Sequence, residues 1–282
     1  MTPGAAGGRL AGMRWQLCPA LVALTLLVAC GGSPGVEVAA ARGDRVFLPD
    51  HEGPVPVVVL VPGGGWSTAD PTGLVPLAEA LAEAGNVAVT TTYRTAGTQT
   101  YYPVPVADVL CAAASAVSRA ADAGHEGGPL VLVGHSAGAQ LAVLAALRPD
   151  VHAGECEHPA VVPDAVVGLA GAYDVRALER ISRDLFGSSP EQDPGAWREG
   201  DVGTWAAERP EVPVLLVHGY LDDVVPPSMS RRLHDQLRSG GHPVELVSLP
   251  GVDHLDVFEA DVVGPTLLEW VERLPDVLAE GS

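Results

Sequence analysis

Residues 129–147 constrain the fold more than any other stretch. An apolar, β-branched run (Pro129-Leu-Val-Leu-Val133) enters Gly134-His135-Ser136-Ala137-Gly138, and a short, nearly all-apolar helical segment follows over 137–147. A strand that reverses into a helix within five residues needs glycines on both sides, because the two backbones crowd together at the turn. A helix that is apolar all round must be covered on most faces. The same alternation runs the length of the chain. Strands are predicted over 55–61, 86–93, 165–169, 214–217 and 244–249, and helices over 71–85, 106–123, 228–238 and 256–274. Such order specifies an α/β class: a mostly parallel, doubly wound sheet with helices on both faces. Residues 37–40 and 45–49 are expected to lead it as an antiparallel hairpin. With 282 residues, 47% of them apolar, the chain can bury the core that this architecture needs.

One segment breaks the rhythm. Residues 174–210 carry Phe186, Trp197 and Trp205 but no strand signal, so about 175–210 is expected to be a short lid insertion. Its aromatic side chains either shape an acyl or aromatic pocket or pack the lid down.

The first thirty residues read as an address. Arg9 and Arg14 precede an apolar stretch over 15–29 that is too short to span ~30 Å of hydrocarbon. It ends in Leu27-Val-Ala-Cys30-Gly-Gly32, which resembles the bacterial lipobox. The expected organisation is a lipoprotein signal peptide over 1–29, a tether over 30–44 beginning at a lipidated Cys30, and one domain over 45–282. The chain would be exported across the bacterial cytoplasmic membrane and anchored on its outer side, touching lipid through Cys30 only. The formal charge is −19, with no Lys. That surface suits no nucleic acid, which needs a basic groove.

Export makes Cys111 and Cys156 an expected disulfide. The cluster His152-Ala-Gly-Glu-Cys156-Glu-His158 lacks a second set at zinc-ligand spacing, so no metal is assigned there.

Ser136, at the tight turn, is the candidate nucleophile. A serine hydroxyl needs a base, and the base an orienting acid. On a strand-to-helix elbow of this kind the chain order is Ser, acid, His. The strand over 214–217 runs into His218-Gly-Tyr-Leu-Asp222-Asp223, where both aspartates compete for the acid role. The last strand runs into Gly251-Val-Asp-His254, which makes His254 the base; the remaining histidines precede the acid, flank the elbow or fall on expected helix surface. Oxyanion donors are expected from the Ala137 N–H at a helix N-terminus and from Pro62-Gly63-Gly64-Gly65-Trp66.

These motifs together resemble the α/β-hydrolases of the esterase and lipase branch with HGGG-type loops. PGGGW, TYR at 92–94, GHSAG, GLAGAYD at 168–174, LFGSSPEQ at 185–192 and HGYLDD all have counterparts there, most closely in small feruloyl-esterase-like and formamidase-like enzymes. The resemblance implies Ser136, Asp222 and His254 as a triad, Gly64, Gly65 and Ala137 as the oxyanion hole, and hydrolysis of a small ester through an acyl-enzyme without cofactor. Asp222 is favoured because it stands four residues after His218. An amide substrate on the same triad, or a non-catalytic binding lipoprotein, are the alternatives; residues 224–256 also resemble the prolyl-oligopeptidase catalytic domain. Two departures stand out. Pro62 replaces the first His of the loop, and Gly200-Asp-Val-Gly-Thr-Trp205 replaces a Ser-Pro-bearing segment.

Overall fold

The computed structural model describes residues 37–39, 44–152 and 156–280, together with Met1. The signal peptide and the lipidated Cys30 expected from the sequence lie outside the described residues. The chain divides after Gly32, and the unit from Ser33 onward is the one described below.

Among the described residues its sheet has eight strands: β1 (Glu37–Ala39), β2 (Arg45–Phe47), β3 (Val57–Val61), β4 (Val87–Thr90), β5 (Leu130–His135), β6 (Ala165–Leu169), β7 (Val214–Gly219) and β8 (Val244–Leu249). They lie in the order β1-β2-β4-β3-β5-β6-β7-β8, with β1 and β2 antiparallel at one edge and the remaining six parallel. Every residue of β3, β5, β6 and β7 is buried, which explains the continuous apolar run that opens each of them. The edge strand β8 has only exposed and half-buried positions.

The helices are α1 (Val75–Glu83), α2 (Val104–Asp122), α3 (Ala137–Leu147), α4 (Pro149–His152), α5 (Glu179–Phe186), α6 (Pro194–Glu199), α7 (Ser228–Gly240) and α8 (Ala260–Glu280). Side chains alternate along the strands, so Val57, Val59 and Leu132 pack with α2, α3 and α7, whereas Val58, Leu60 and Val133 pack with α1 and α8. All of α3 is buried, because α2 and the insertion cover the faces that the sheet does not. The predicted hairpin exists: Val38 pairs with Val46. The sheet therefore begins inside the stretch also read as a tether. Helix α8 runs past its expected end at 274 with Pro265 and Pro275 inside it, held by buried Val263, Leu267, Trp270, Val271 and Leu274.

The insertion contains α5, α6 and a 3₁₀ turn over Val202–Trp205. Asp193 caps α6 by accepting the Ala196 N–H, and Pro194 supplies the fixed φ of its first turn. Trp197 is fully buried and stacks on Phe186 with ring centroids 4.4 Å apart, while the Arg148 guanidinium lies 3.7 Å above Trp205. The aromatic residues thus pack this segment down onto the core. A Cys111–Cys156 disulfide ties α2 to the loop before β6, with Cα atoms 5.5 Å apart.

Candidate active site

The parallel register brings the carboxyl ends of the central strands to one rim. Gly134 aligns with Val61 on one side and Gly168 on the other. At the end of β5 the chain turns so sharply that Ser136 adopts φ 53° and ψ −118°, a conformation that L-residues rarely hold. Its N–H is fixed on the Leu169 carbonyl at 2.8 Å. The flanking glycines are a steric requirement. A Cβ on Gly134 would sit 2.3 Å from the Gly138 carbonyl oxygen, and one on Gly138 would sit 2.4 Å from that of Pro62.

The exits of β7 and β8 supply the other two side chains. His254 Nε2 lies 3.0 Å from Ser136 Oγ, and its Nδ1 lies 2.7 Å from Asp222 Oδ2. A carboxylate only accepts, so Nδ1 carries the proton and Nε2 offers its lone pair to the serine hydroxyl. Between the two aspartates the geometry selects Asp222: it is buried, whereas Asp223 is exposed. Burial pushes the Asp222 carboxyl up, but hydrogen bonds from His218, His254 and the Val225 N–H outweigh it and hold the group well below the usual carboxylate range. In chemical terms, the imidazole can take the hydroxyl proton while the fixed carboxylate stabilises the imidazolium.

The glycine loop faces this pair. A Cβ on Gly63 would lie 3.0 Å from Ser136 Cβ, so the loop runs flush against the serine. Gly64, Gly65 and Trp66 all have positive φ, at 129°, 58° and 59°, and the Gly64 carbonyl accepts the Ser67 and Thr68 N–H groups. Ala137 opens α3, where N–H groups have no intrahelical partner. The bracing that Pro62 cannot give comes from elsewhere. Tyr93 Oη donates to the Pro62 carbonyl at 3.1 Å, and burial pushes this phenol up, so it stays a donor. Trp66 Nε1 donates to Gln140 Oε1 at 3.1 Å, and Gln140 Nε2 donates to the Gly200 carbonyl at 2.7 Å. Gln140 lies one turn beyond Ser136, so this relay joins loop, elbow helix and insertion.

Three supporting residues escaped sequence reasoning. His135 Nε2 donates to the His254 carbonyl at 2.9 Å, His218 bonds the acid, and Gln140 carries the relay above. Only His218 left a signal, its four-residue spacing from Asp222. His125 and His242 are buried against the carbonyls of Gly53 and Val212.

A strand order of 1-2-4-3-5-6-7-8, with a strained serine at the central turn and its partners on the last two strand exits, defines an α/β-hydrolase fold. A solved structure titled a truncated form of carbohydrate esterase from gut microbiota superposes with TM-score 0.73 at 18% identity, over 82% of this chain and 90% of that one. The family model described as BD-FAE matches residues 45–237, and the chain belongs to that family. The match contains Ser136 and Asp222 and stops short of His254. Among relatives, esterase LipC of Mycobacterium tuberculosis is 29% identical over 229 residues, covering 76% of this chain and 56% of its own length. The probable carboxylic ester hydrolase LipM of the same organism is 29% identical over 219 residues, covering 73% and 50%. The chain therefore spans about half the length of these relatives.

Proposed function

We propose that the chain is a serine hydrolase of carboxylic esters. The observation that carries this reading is the continuous hydrogen-bonded path from Ser136 Oγ through His254 to Asp222, at 3.0 and 2.7 Å. Ser136 Oγ attacks the acyl carbon as its proton passes to His254 Nε2. The resulting oxyanion is met by the N–H groups of Gly64, Gly65 and Ala137. Collapse expels the alcohol, which leaves with the proton from His254, and water repeats the sequence on the acyl-enzyme. The esterase relatives support an ester over an amide as the scissile bond.

The test is hydrolysis of p-nitrophenyl acyl esters of increasing chain length beside aminoacyl anilides, together with labelling by a fluorophosphonate probe. Wild type should hydrolyse the esters faster and label at Ser136. Ser136→Ala should lose several orders of magnitude in kcat and all labelling. Faster anilide turnover would move the substrate to amides, and wild type that neither labels nor turns over would make the chain a binding protein.

The same proposal includes export and anchoring at Cys30. The lipobox-like sequence and a disulfide, which persists in oxidising compartments, support it. Cys30→Ser should shift the protein from the membrane fraction to the soluble one.

A further inference from the structure

Beyond the hydroxyl, imidazole and carboxylate, a further buried imidazole stands behind the acid. His218, in β7, is 1% exposed. Its Nε2 lies 2.9 Å from the Val225 carbonyl and 3.1 Å from Asp222 Oδ2. Both of those oxygens can only accept, so the His218 proton resides on Nε2 and is shared between them. Nδ1 is then the acceptor for the hydroxyl of Ser230, 2.7 Å away and itself fully buried on α7. The Asp222 carboxylate consequently receives four donors. The N–H groups of Val224 and Val225 occupy Oδ1 at 2.9 and 2.8 Å, and the two imidazoles meet at Oδ2.

That last point separates His218 from ordinary packing. The backbone donors alone would hold the carboxylate in place through Oδ1. His218 instead engages the one oxygen that orients His254, and so divides that oxygen's charge between two rings.

We propose that His218, held in its Nε2–H form by Ser230, is a positioning residue that aims Asp222 Oδ2 at His254 and moderates the charge which the His254 imidazole meets. The proposal rests on the triad reading above. The groups facing His254 are Asp222 and Ser136 through hydrogen bonds, His135 with ring centroids 4.8 Å apart, Asp253 on its own loop, and His218 behind the carboxylate. Removing the His218 donor leaves Oδ2 with undivided charge. Protonated His254 is then favoured, and the base is lost at a higher pH than in wild type.

The experiment compares His218→Leu, His218→Asn and His218→Gln. The amide nitrogen of Gln reaches the place of Nε2, whereas that of Asn falls at Nδ1. With Leu and Asn, the acid limb of kcat/KM should move up by about half to one pH unit, and kcat should fall ~10-fold with KM changed by less than about twofold. Gln should restore both. In a Ser136→Ala background, the His254 imidazole titration followed by NMR should move the same way, which tests the idea without turnover. Absence of ester hydrolysis in wild type would thus count against the function and leave this measurement standing. Should the Leu protein not fold, the Asn and Gln pair decides. An unmoved His254 titration, or Asn and Gln behaving alike, overturns the role of His218.

Discussion

His135 makes the stability of this fold depend on pH in a calculable way. Its ring is buried between those of His254 and Phe258, with centroids 4.8 and 4.7 Å away, and its Nε2–H is committed to the His254 carbonyl. Burial, with the neighbouring His254 second, pushes the imidazole down from 6.5 to about 4, against the opposing pull of that carbonyl bond. The unfolded chain therefore binds a proton near pH 6.5, which the native state refuses until about pH 4. Stability contributed by neutral His135 is complete above 6.5 and falls as pH drops through that window. The gap corresponds to ~3 kcal/mol. Carboxylates also titrate at low pH, so the measurement must be a difference. His135→Gln keeps an N–H for the His254 carbonyl and has no proton to gain. Urea unfolding of both proteins at pH 7.5 and 4.5 should show the wild type losing ~2–3 kcal/mol relative to the variant. A difference in unfolding free energy that stays constant across this range would refute the reasoning.

Two further outcomes follow from the supports around the site. Gln140→Leu leaves buried Trp66 Nε1 without its acceptor and the buried Gly200 carbonyl without its donor, which should destabilise by ~2–5 kcal/mol in urea unfolding. Steady-state kinetics should show kcat falling further than KM rises, because the glycine loop loses its tie to α3. Replacing Cys111 and Cys156 together with Ser opens a loop of 45 residues, expected to destabilise by about 4 kcal/mol in the chain-entropy model. Thermal unfolding measures this, and the folded fraction should keep its kcat, since the bridge joins none of the three loops that carry the site.

The parallel core was legible because burial on both faces forces continuous apolar strands, as in Val57–Val61 and Ala165–Leu169. That Ser136, Asp222 and His254 meet at one rim was legible because chain order on this fold leaves few positions for each. Asp222 could be separated from Asp223 only by likeness to relatives, until burial distinguished the two. The supporting residues were hidden for a different reason. His135 bonds to a carbonyl that long-range folding delivers, 119 residues away. Nothing local distinguishes such a ring from a surface one. Likewise Trp197 and Phe186 could equally have lined a pocket; only their stacking shows that they fasten the insertion. The leading hairpin was legible too, its first strand running over Glu37–Ala39 within the expected 37–40.

The two ends of the proposed proton path rest on unequal foundations. Ser136 stands on β5, gripped by β3 and β6, whereas the His254 loop hangs from β8, whose single sheet neighbour among the described residues is β7. Detachment of β8 with α8 would carry away the proton acceptor and leave the middle of the sheet standing. A preparation frayed at its carboxyl-terminal end would therefore present a well-folded spectrum and a silent hydroxyl, so retained secondary structure is a poor proxy for a working molecule here.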